Sequence, residues 1–151
     1  MKIATVAGTL GKGLLAGLAG TGAMTVSNSI ETRLLDRPPR MAPTHAAEKM
    51  LGMGSEDGRP GSRFGNPVYW GYGTVWGLAR ALIRAVGLSP KASTVAHFAT
   101  LWSSEQMLLP ALDVAPPSMI LGRSEIAIDA WNHAVYAATA GLAYELLDRR
   151  R

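Results

Sequence analysis

Charged side chains in this chain are bunched, and the intervals between them restrict its fold more than any other feature. Residues 13–30, 64–79, 92–104 and 130–144 contain no Asp, Glu, Lys or Arg. Runs of this kind have to be covered, either by a protein core or by a bilayer whose hydrocarbon layer takes roughly 20 helical residues to cross. Each interval falls a little short of that length. The deficit closes if Lys12, Arg80 and Arg84 keep their stems in the apolar layer and their charges at its edge. The expected architecture is all-α: an integral membrane four-helix bundle forming one domain, with helices over about 10–30, 67–85, 92–109 and 126–147.

Two other folds compete. Lys2 and Lys12 ahead of an apolar run resemble a secretory leader, but the run outlasts the roughly 7–15 residues of a leader's core, so the segment is expected to stay. A soluble four-helix bundle should show a charged face on every helix. The first and last segments instead carry Gly, Ala, Thr and Leu all the way round.

Composition narrows function by exclusion. With no cysteine there is no disulfide, thiolate metal site or cysteine nucleophile. The net charge is +4, yet the basic residues form no long patch interleaved with aromatics, so nucleic acid is not an expected partner. The sequence holds no GxSxG, no HExxH, no P-loop and no dinucleotide fingerprint. Gly8, Gly11 and Gly13 approximate a phosphate loop but follow no strand. No cofactor is expected, and a non-enzymatic structural or interaction role is favoured.

Gly13 and Gly17 are spaced as GxxxG, Ala16 and Gly20 as its small-residue variant, and Gly73 and Gly77 repeat the device on the second helix. Such spacing lets helix backbones approach closely. Packing within the chain is the first use expected of it, and a homo-oligomer or larger membrane complex the second. Residues 31–66, with prolines at 38, 39, 43 and 60, read as a polar loop that is partly helical over 44–51. Tyr69, Trp70, Tyr72 and Trp76 open the second helix as an interfacial belt or as ordinary packing. Lys2 and Lys12, then Arg80, Arg84 and Lys91, then residues 149–151 fall on one side of an alternating topology. The positive-inside rule places that side, and both termini, in the cytoplasm of an inner-membrane protein in contact with the lipid bilayer.

Ionisable residues inside such helices need a partner or a purpose. His97, Glu105, Asp129 and His133 are the ones to explain. Glu125, Asp129 and His133 recur every four residues and so line one helix face. Counting along the antiparallel third and fourth helices at about 1.5 Å per residue puts Glu105 and His133 at matching depth, with His97 roughly 12 Å away along the axis. The expected cluster is Glu105, Glu125, Asp129 and His133, with Asn28 and Glu31 from the first helix nearby. Three uses stand open: a hydrogen-bond network that fixes helix register, a proton- or ion-responsive transporter or channel, and a metal-dependent membrane enzyme whose metal the sequence leaves unknown.

The proline run at 110, 116 and 117, followed by Glu125, Asp129 and His133 at four-residue spacing, resembles the YagU-like family of small bacterial inner-membrane proteins. Glu31, Pro38, Pro39 and Arg40 are also similar. The chain departs from that family's pattern in having Asp129 where Glu is expected. The resemblance implies a multi-pass protein with no established enzymatic activity and an association with acid tolerance.

Overall fold

A computed structural model describes residues 3–36, 49–50, 52, 65–116, 120 and 122–149. Four helices run through them: α1 (Ile3–Leu35), α2 (Gly65–Ala85), α3 (Pro90–Ala111) and α4 (Arg123–Asp148). There is no strand among the described residues. The expected helix over 44–51 lies outside them, apart from Lys49 and Met50.

Local chemistry sets the boundaries. Ser89 caps α3, its hydroxyl accepting from the Ala92 amide at 3.3 Å, and Pro90 occupies the first turn, where its missing N–H costs nothing. The α2–α3 turn is tight because Gly87 takes φ 92°, a left-handed conformation that glycine adopts without penalty. The Gly87 amide there donates to the Arg84 carbonyl at 3.1 Å.

Helix α1 packs chiefly against α2 and α4, while α3 sits against α4 and, less extensively, α2. The α1–α2 contact is a backbone seam. A methyl group on Gly13 would lie 2.7 Å from the Gly77 carbonyl oxygen, and one on Gly17 or Gly77 would strike the facing backbone. Gly73 backs onto the Thr21 side chain, and Gly20 lies against the ring of Tyr136 on α4. All five glycines that the spacing singles out therefore sit at helix contacts within one chain.

No helix among the described residues is long and apolar enough to cross a membrane. This overturns the integral-membrane reading and, with it, the multi-pass inner-membrane location with cytoplasmic termini. The all-helical, four-helix part of the expectation stands. The physical reason lies in what fills the charge-free intervals. They are rich in Gly, Ala, Ser and Thr and include Asn28, His97, Asn132 and His133, and such residues bring little transfer free energy. An absence of charge is not the same as apolarity.

The interior is correspondingly polar. Ala16, Ala81, Leu101, Tyr136, Ala140 and Tyr144 form a small apolar core. Thr21, Arg80, Ser93, His97, Asp129, Asn132 and His133 are buried with them. Arg80, expected to reach outward from a helix end, is completely enclosed, because Glu145 on α4 meets its Nη2 at 3.2 Å.

A candidate cation centre between α3 and α4

Helix periodicity assembles the site from two faces. On α4, Asp129 and His133 are one turn apart. On α3, Trp102, Glu105 and Gln106 share a face at spacings of three and four. The His133 Nδ1 lies 2.8 Å from the Asp129 carbonyl oxygen. A carbonyl can only accept, so Nδ1 carries the proton. The other ring nitrogen, Nε2, meets the Glu105 carboxylate in an ion pair. Asp129 is fixed from α3: its Oδ2 accepts from the Trp102 indole at 2.8 Å and from the Gln106 amide at 2.9 Å.

Burial alone would push the His133 imidazolium toward its neutral form. The Glu105 hydrogen bond and charge, with the charge and carbonyl of Asp129, outweigh burial and hold its pKa above the ordinary histidine value. One donor atom from each of Glu105, Asp129 and His133 lies within 4.8 Å of the others. Glu105 and His133 border a cavity of about 40 Å³, walled also by Thr21, Met24, Tyr69, Tyr72, Trp76 and Tyr136, which is room for a few water molecules. Tyr136 is tied back by donating to the Gly73 carbonyl at 2.5 Å. The Tyr72 phenol is raised above its usual pKa, first by burial and further by the Glu105 charge.

The remaining residues of the expected cluster are placed elsewhere. Glu125 stands one turn before Asp129 and is not among the three converging groups. Glu31 accepts from the Asn132 amide at 2.7 Å, and the Ser27 hydroxyl donates to the Asn132 carbonyl oxygen at 2.6 Å. This is a separate link between α1 and α4. Asn28 lies on the same helix, with its side-chain oxygen buried.

His97 forms part of a second polar region. Its Nε2 donates to the Trp76 carbonyl at 3.1 Å, and its ring meets Tyr136 edge-on with centroids 5.7 Å apart. Burial, only partly offset by the Trp76 carbonyl and reinforced by the nearby Arg80 charge, brings its pKa down to about 4. Arg80 and Arg84 converge on the Glu145 carboxylate, at 3.2 and 2.9 Å. The Arg80 guanidinium also lies 5.9 Å from the centre of the Tyr144 ring.

Sequence reasoning missed Trp102, Gln106 and Asn132. A signal for the first two existed, since Trp102 lies three residues before Glu105 and four before Gln106, spacings that place both on the helix face Trp102 occupies. No family model, curated protein or solved structure matches the chain. The resemblance to YagU-like proteins therefore rests on the motifs alone.

Proposed function

We propose that the chain is a non-enzymatic helical module that binds a cation at Glu105, Asp129 and His133. The observation carrying this reading is the convergence of two carboxylates and one imidazole, drawn from two helices, beside a small cavity. Carboxylates gathered in a poorly hydrated interior repel each other and hold a cation or a proton between them. Trp102 and Gln106 act as positioning residues, because their N–H groups donate to Asp129 Oδ2 and hold that carboxylate in place. Equilibrium dialysis of purified protein against Mg²⁺, Ca²⁺, Mn²⁺, Zn²⁺ and methylammonium tests the reading. At least one should bind in a single equivalent, and Glu105→Gln should weaken it by about tenfold or more. Retention of none, or equal retention by the folded variant, would overturn it.

A second observation supports association between copies as a companion role. Val26, Ile30, Leu34 and Trp131 are well exposed, Trp131 at 65%, around an apolar groove between α1 and α4. Exposed apolar side chains gathered around one groove form a surface that a second copy can cover. Sedimentation equilibrium should show an oligomer that Trp131→Glu dissociates. A wild-type chain that stays monomeric across the accessible concentration range would remove the idea.

A further inference from the structure

We infer that the centre is selective for divalent transition metals, taken up through His133 Nε2 with the carboxylates of Glu105 and Asp129. This deepens the cation reading above and rests on it. The argument begins with the ring. Because Nδ1–H is committed to the Asp129 carbonyl, a neutral His133 turns its lone pair at Nε2 toward Glu105. Ligating histidines are commonly oriented in this way, the far ring nitrogen donating to a carbonyl or carboxylate while the near one faces the metal. The Asp129 carboxylate is likewise anchored by two donors on one oxygen, which supports the carboxylate from outside the centre.

Donor chemistry then separates the candidates. Magnesium and calcium take oxygen ligands, six or more in the calcium case, and an imidazole nitrogen is a poor substitute. Manganese, iron, cobalt and zinc accept imidazole together with carboxylate. Charge points the same way. A metal on Nε2 displaces the proton of the Glu105–His133 pair. The neutral imidazole with two carboxylates then sums to two negative charges, which a divalent ion balances and a monovalent ion does not. One donor atom of each residue lies within 4.8 Å of the others, and the Asp129 carboxylate lies 3.7 Å from His133 Nδ1. Binding through Nε2 therefore requires the Asp129 and Glu105 side chains to turn toward that nitrogen until ligand distances reach roughly 2.0–2.2 Å. Three protein ligands leave coordination positions for water, and the cavity beside Glu105 and His133 has space for it.

Cobalt is the probe that tests this. Titration of the folded protein with Co²⁺, in the presence of excess Mg²⁺, should give visible absorption saturating at one equivalent. It should also shift the His133 ring protons in the NMR spectrum far outside the diamagnetic range, while those of His97 remain within it. Zn²⁺ should displace the cobalt. Two results would overturn the inference and leave the broader cation reading standing: Mg²⁺ or Ca²⁺ displacing Co²⁺ at comparable concentration, or cobalt binding with no shift at His133. If no cation binds at all, both fall. The ring-proton readout needs only the wild-type chain, so the test survives a His133→Gln variant that does not fold.

Discussion

Asp129 shows how much of this site depends on residues that never touch its open side. Its carboxylate is buried and held by the Trp102 indole and the Gln106 amide. A hydrogen bond to a charged group contributes about 1.5–3 kcal/mol. Trp102→Phe keeps an aromatic ring and removes the donor, so it should lower unfolding stability by about 2 kcal/mol in urea titration. An unchanged midpoint would mean that the indole contact is dispensable. His97 gives a prediction with a definite sign. Unfolded, it takes up a proton near pH 6.5; folded, only near pH 4. Between these values the unfolded chain binds more protons, so stability is full above about 6.5 and falls by roughly 3 kcal/mol as pH drops toward 4. His133 works in the opposite direction: its raised pKa gives stability that is full below 6.5 and lost as pH rises through the folded value. The difference between wild type and His97→Gln in pH-dependent unfolding isolates the first effect. A difference that does not vary between pH 4 and 6.5 would contradict the burial of a neutral His97.

At the scale of helices, the glycines divide into two groups that sequence alone does not separate. Gly77 has no space for a side chain, since a methyl there would strike the Gly13 carbonyl and the Gly17 backbone, whereas Gly11 has nothing within 4 Å. Gly77→Ala should therefore destabilise by on the order of 3 kcal/mol through overpacking. Gly11→Ala should stabilise by about 0.5–1 kcal/mol, because alanine loses less backbone freedom in a helix. Thermal unfolding of the pair checks both, and shifts of the same sign would mean that the α1–α2 seam is misplaced. The pairing of Glu105 with His133 was legible because two helices joined antiparallel can be matched by counting rises from their ends. Trp102 and Gln106 were hidden for a plainer reason: an indole and an amide carry no charge, so a search for ionisable groups passes over them. Glu125 was drawn into the expected cluster by its four-residue spacing from Asp129. Spacing fixes a helix face, but only the packing of α3 decides which turn of that face is met.

For the molecule as a whole, the distribution of polarity matters most. Arg80 is buried with Glu145 beside it, while Leu34, Val86 and Met107 lie on the outside. Charge-free length suggested membrane spans, and the Gly, Ala, Ser and Thr that supply that length left no helix among the described residues apolar enough for the role. Such small residues instead let four helices close around polar groups. That arrangement makes ion pairs structural. Glu145→Gln would leave two guanidiniums, Arg80 and Arg84, without their shared carboxylate. Arg80 is enclosed while Glu145 and Arg84 are partly exposed, so the cost is expected at about 3 kcal/mol, the low end for breaking a buried pair from one side. Loss of cooperative unfolding in that variant is expected, and wild-type stability would refute the assignment. The central claim concerns the other polar centre. A crystal grown with Mn²⁺ and measured with anomalous scattering examines it most directly. The expected result is one strong peak between α3 and α4, within about 2.0–2.3 Å of an oxygen of Glu105, an oxygen of Asp129 and Nε2 of His133. A map with no peak there, and with the Glu105–His133 pair still closed, would contradict it.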